Sequence, residues 1–261
     1  MKDIHSILKP WPMWKRHWQK RQQQNGRRLQ YIAFFSTILF LAIPYGIINH
    51  VVNWMDISRL DPVTPLDDAI PFIAWSLIPY LSLYFYYPAG ALMSPKDDVS
   101  RIQMLMLHQV LFLSSWAISI IFILIPTKVH IRNHIPEDIR AGEGFWGFFY
   151  GDIMHNTDQP WNAWPSLHIV QSLLIVLMLS HWLKPQQRDK TILALWIGWL
   201  MLAISVLTTK QHFVFDLVTG IIVALLCWQW LLKPAIKWSE SEAATEFTFE
   251  EQGLHPRKDE T

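Results

Sequence analysis

The sequence predicts an all-α integral membrane bundle of six transmembrane helices, and three observations carry that prediction. Of 261 residues, 51% are hydrophobic and 16% are charged. The apolar residues gather in six windows near 31–52, 69–92, 102–126, 166–183, 190–208 and 213–233. Lys and Arg are unevenly shared among the connecting segments. About 18 to 25 apolar residues are needed to cross roughly 30 Å of hydrocarbon, and each window has that length. The mean hydropathy of +0.17 is held down by polar ends and loops. One such window reads as well as a buried helix of a water-soluble protein; six in one chain do not.

The first element is an amino-terminal arm, residues 1–30, where Lys2, Lys9, Lys15, Arg16, Lys20, Arg21, Arg27 and Arg28 face the single acid Asp3. Basic residues are retained on the cytoplasmic side, so this end is expected inside. Trp11, Trp14 and Trp18, interleaved with Lys and Arg, suit a helix lying on an anionic inner leaflet, with a solvated basic arm as the alternative. The first window is too long, and lacks the small-residue cleavage pattern, to be a removable signal peptide; it is expected to stay as a signal anchor. Pro71, Pro79 and Pro88 interrupt the second window, which is tolerable where neighbouring helices satisfy the freed carbonyls.

The short loops 94–101 and 184–190 hold Lys and Arg, as inside loops do. The long loop after the third window carries Lys128, Arg132 and Arg140 on the outside, and phosphate binding supplies a reason for that exception. Its aromatic run 144–151 reads as a lid admitting a lipid sideways or as an interface anchor. Windows one to six form the core unit, residues 31–233. The Glu-rich tail 234–261 lacks periodicity and is expected to be disordered and cytoplasmic. Cys227 is the only cysteine, which excludes an intramolecular disulfide or a cysteine metal cluster. A net charge of +1 conceals a basic head and an acidic tail, a pattern of membrane topology and not of nucleic-acid binding.

Polar residues with chemical potential collect at the outer mouths of these windows. His212 and Asp216 are four apart, so on a helix the carboxylate reaches a ring nitrogen and stabilises the imidazolium. An acid just inside a span marks a function by default, although the pair alone serves equally well as a cap. His168 follows Pro165 and Ser166 at an expected helix start, where free N–H groups make an anion-binding corner. Taken singly it is an interfacial histidine; beside the other two mouths it is a catalytic candidate. Asp67 and Asp68 open the second window on the same side, to touch an acceptor hydroxyl or merely to end the loop. His155 with Asp152 has a place at the mouth or in the interfacial loop. His130 and His134 have the spacing of a zinc pair, but no third ligand has suitable spacing and no metal site is expected.

Two runs, Asn162-Ala163-Trp164-Pro165-Ser166-Leu167-His168 and Thr209-Lys210-Gln211-His212 through Asp216 to Gly220, resemble motifs of the type 2 phosphatidic acid phosphatase superfamily. Within it the chain resembles the branch containing inositol phosphorylceramide synthases, which shares Leu167 in place of the commoner glycine. The resemblance covers about residues 30–233. It implies cofactor-free, metal-independent phosphoryl transfer in which His212 attacks phosphorus, Asp216 holds His212, and His168 protonates the leaving oxygen. Lys128, Arg132, Ser166 and Lys210 are the substrate-binding candidates. The family's third motif has Ser-Arg where this chain has Ser205-Val206, so Lys210 is the nearest replacement cation. Lys lacks the two-pronged fork of Arg. Asn133 stands after Arg132 where the first motif has proline.

Three functions follow. The first is a lipid-phosphate phosphatase hydrolysing a lipid phosphomonoester or pyrophosphate at the outer face of the plasma (inner) membrane, both termini being cytoplasmic. The second is a phospho-head-group transferase using the same histidines, and the third is a catalytically dead lipid carrier.

Overall fold

The computed structural model describes residues 6–245. Within them every regular element is a helix, and the one extended pairing is a bridge between Leu60 and Thr127. The bundle opens with α1 (Arg28–Met55), whose middle is a π-helical turn at Ile38–Ala42. Two pieces follow, α2 (Leu77–Leu81) and α3 (Leu83–Leu92). The remaining helices are α4 (Asp98–Leu124), α5 (Leu167–Gln186), α6 (Asp189–Thr208) and α7 (Val214–Ser239). Five helices, α1 and α4 to α7, are long and apolar enough to cross a membrane.

The second predicted span is the exception. Pro79 has no N–H to continue the helical ladder, and the chain bends at Ser82, whose hydroxyl donates to the Pro79 carbonyl at 2.6 Å. Upstream, Pro71 follows a short helix that ends at Ala69. The apolar window is present; the continuous helix is not.

Burial separates a core from a coat. In the most apolar stretch of α5, 67% of residues are buried within the protein, and in α4 61%, against 17% in α7. α5 is the hub and packs on α3, α4, α6 and α7. Side-chain polar bonds tie it in place: Gln171 Nε2 donates to Leu111 O and to Ser115 Oγ of α4, and Trp199 of α6 donates to Ser172 Oγ. Such bonds matter in hydrocarbon, where water offers no alternative partner. On the outer helices Phe35, Ile47, Trp54, Ile197 and Ile222 are exposed. A coat of this kind is an aggregation surface in water and a matched surface in lipid.

The amino-terminal arm does not present its tryptophans outward. Trp14 and Trp18 are each 1% exposed. Gln109, inside α4, accepts from Trp11 N at 3.0 Å and Trp14 Nε1 at 2.9 Å, while its amide donates to Lys9 O. Trp11 stacks on Trp116 at 6.1 Å. The arm therefore packs along α4 instead of lying on a leaflet: large indole surfaces gain more by burial in the bundle, and Gln109 satisfies the polar atoms that burial would strand. At the other end, α7 runs on to Ser239 beyond the expected boundary at 233, and most of the expected disordered tail, residues 246–261, lies outside the described residues.

Candidate active site

Local sequence explains how the site's walls are set. α6 ends at Thr208, and Lys210 adopts a left-handed φ of 58°, so the link to α7 is made in a few residues. Asp216, in the first turn of α7, accepts from Phe213 N at 2.9 Å, capping its own helix. Gly220 lies one turn further along the same face. A Cβ there would stand 3.0 Å from Ser166 O and 3.1 Å from Ile169 Cβ, so only glycine lets α7 approach the head of α5 this closely. Ser166 N donates to Asp216 O at 3.2 Å across that contact.

This approach brings four of the predicted residues together. His212 Nδ1 is 3.5 Å from Asp216 Oδ2, an ion-pair contact too long for a good hydrogen bond. Its other nitrogen, Nε2, lies 3.2 Å from Ser166 Oγ and 3.5 Å from His168 Nδ1. Asp216 and His212 are buried, and Asp216 Oδ1 and His212 Nδ1 have no hydrogen-bond partner. The His168 ring is half-buried and stacks on Tyr80 at 4.5 Å. Chemically, a carboxylate behind Nδ1 favours the tautomer that leaves Nε2 with a free lone pair, pointed at the second histidine.

The three predicted cations go elsewhere. Lys210 is 1% exposed, and its ammonium donates to Asp67 O at 2.7 Å and Ile70 O at 2.5 Å. Burial pushes its pKa below that of an ordinary lysine, against the opposing pull of Asp67 and Asp68. Lys128 is half-exposed, paired with Asp56 at 2.8 Å and placed over the Trp161 ring. Arg132 is 8% exposed; Nη1 donates to Asp158 O at 2.9 Å and Nη2 stands 3.9 Å from Asp158 Oδ2. Asp67 does end the loop: it accepts from Thr64 N, Thr64 Oγ1 and Val214 N, fastening the approach to α2 onto the start of α7. His130 and His134 sit near separate acids, Asp61 and Asp68.

A cavity of about 340 Å³ lies on the far side of His168 from His212, between α1, α2, α3 and the segment Phe148–Met154, itself a π-helical stretch. Leucines and tyrosines line it, and His168 and Asp158 are also among its lining residues. Phe149 of the aromatic run and Ile153 and Met154 just beyond it line the cavity, while Phe145 and Phe148 are exposed. Asp158 and Tyr45 were not singled out from the sequence. Nothing in their spacing marks them, since tertiary packing alone brings α1 to the loop.

A helical membrane bundle with an acid-supported histidine pair at one end of its central helices is the class of protein that fold and site define. A sequence profile of the PAP2 superfamily matches residues 70–230, more than half of the chain, and the protein belongs to that superfamily. No curated protein and no solved structure matches it significantly.

Proposed function

We propose that the protein is an integral membrane lipid-phosphate phosphatase that works at the outer face through a phosphohistidine on His212. The observation that supports this reading is the sequence of contacts from Asp216 to His212 to His168, the last of which also lines the cavity. Asp216 holds the Nδ1 proton, and Nε2 attacks phosphorus as the bond from phosphorus to the lipid oxygen breaks. His168 gives that oxygen its proton, and the lipid alcohol departs on the cavity side. A water then loses a proton to His168 and attacks the phosphohistidine, returning His212 and releasing phosphate. The 3.5 Å gap between the two rings leaves no space for a phosphoryl group, so substrate binding turns His168 aside along Tyr80. Arg132, whose guanidinium is bonded to the main chain of the cavity residue Asp158, supports the phosphate charge.

A second reading, head-group transfer to an alcohol, is favoured by Leu167 in the run Asn162–His168 and by the carboxylate of Asp158 at the cavity. One experiment sorts these. Detergent-purified protein is given a panel of lipid phosphates and pyrophosphates in EDTA, with His212→Ala alongside. Phosphate released by the wild type alone supports hydrolysis, and a new phospholipid formed only with an alcohol present supports transfer. Equal release by His212→Ala refutes both.

A further inference from the structure

A carboxylate is out of place beside a phosphate unless something else needs it. Asp158 repels an anionic head group, yet it lines the same cavity as His168, and its side chain is 22% exposed. Its surroundings fix it without using it up. Tyr45 donates to Oδ1 at 2.8 Å, and the main-chain carbonyl takes the Arg132 bond. Oδ2 stays 3.9 Å from Arg132 Nη2, beyond hydrogen-bond range, with lone pairs turned to no donor at that distance. Burial raises the carboxyl's pKa, while Arg132 and Tyr45 act in the opposite direction. The rest of the lining is mainly apolar, from Leu41 and Gly46 of α1 to Leu77 and Leu83, with tyrosines and Thr157 between. Its volume of about 340 Å³ is space for a length of hydrocarbon chain.

We propose that Asp158, held by Tyr45, recognises a second hydroxyl on the lipid alcohol whose reacting oxygen lies at His168 and whose chain fills the cavity. This rests on the leaving-group geometry given under Proposed function and narrows the substrate to lipids with a hydroxyl beside the phosphate-bearing carbon. A plain fatty or isoprenoid alcohol leaves Oδ2 desolvated and unanswered, whereas a 1,2-diol donates to it. Hydrogen bonds to an ionised acceptor are about twice as strong as neutral ones, which sets the size of the discrimination.

Binding tests this independently of turnover. Full-length protein in detergent is titrated with hexadecane-1,2-diol and hexadecan-1-ol in competition with a fluorescent fatty alcohol, as wild type, Asp158→Asn, Gly46→Leu and His212→Ala. The wild type and His212→Ala are expected to prefer the diol about tenfold, the effect of one charge-assisted hydrogen bond. Asp158→Asn keeps an acceptor for Tyr45 and is expected to bind both alcohols alike. A Cβ at Gly46 would meet no atom within 4 Å, and Gly46 lines the cavity, so leucine there is expected to be tolerated by the fold and to weaken both ligands. Equal affinities in the wild type, a preference that survives Asp158→Asn, or undiminished binding to Gly46→Leu overturns the proposal. Diol preference without phosphate release from any lipid instead overturns the phosphatase reading and leaves the hydroxyl site standing.

Discussion

The two ends of the bundle both hold charged groups away from water, and they treat them in opposite ways. At the end where α4 begins, Arg21 grips Asp98 with two bonds of 2.8 Å, and Arg101 adds a third at 2.9 Å. Arg101 also donates to Gly26 O. There Asp98 is met by both arginines, and the arm is pinned to the helix. At the opposite end, Asp216 and His212 meet at 3.5 Å with an oxygen and a nitrogen left unmatched. A tightly bonded ion pair resists change, whereas a poorly matched one lowers its energy when a ligand supplies the missing partner. The first end is built to hold, the second to react.

The largest effect that separates them is expected from His212→Ala. Removing the nitrogen proposed to attack phosphorus should cost about 10⁴-fold or more in kcat with Tm nearly unchanged, because few good hydrogen bonds are lost. A collapse in Tm would make His212 structural. Asp216→Asn should lower kcat about 10²-fold to 10³-fold through the wrong tautomer at His212, while the amide oxygen still caps Phe213. If kcat is untouched, the orienting role is wrong.

At the holding end the sign reverses. Asp98→Ala leaves Arg101, whose side chain is 2% exposed, without its partner, and should cost about 2 kcal/mol, less than a fully buried pair because Asp98 is 31% exposed. Thermal denaturation should record a fall of several degrees, with kcat per folded molecule unchanged. Lys210→Met is a sharper test because this residue belongs to the reactive end yet is bonded like the other. It should lower Tm with KM constant; an unchanged Tm with KM raised tenfold would assign Lys210 to phosphate binding.

The smallest effect concerns His155. Burial, helped by Arg132 and Arg140, lowers its pKa from 6.5 to about 4. Between those values the unfolded chain binds a proton that the folded chain refuses, so stability falls as pH drops from 6.5 towards about 4. His155→Leu should flatten that part of the stability profile, and an unaltered slope would place its source elsewhere.

The sequence foretold what depends on local chemistry and missed what depends on distant packing. Five spans follow from window length alone, and the second failed as a helix because hydropathy counts side chains while Pro79 acts through a missing N–H. The histidines and Asp216 were legible from the Pro–Ser turn and from their four-residue spacing, although His212 lies in the bend just ahead of the helix that starts at Val214 and does not share a helical face with Asp216. Lys210 was read as a phosphate cation since its charge is visible in a sequence, but not the two carbonyls that receive it. Asp158 escaped notice because its meaning depends on Tyr45, 113 positions away. The arm's tryptophans misled for the same reason: their spacing with basic residues matched a surface helix, and only Gln109 explains why they are inside.

That last contact governs the order of assembly. Trp11 and Trp14 are made 98 and 95 residues before the glutamine that receives them. During synthesis α1 can enter the bilayer while its preceding segment has nowhere to dock, and α4 arrives only afterwards. Closure of the arm is therefore a late event, a latch set after the first half of the bundle is in place.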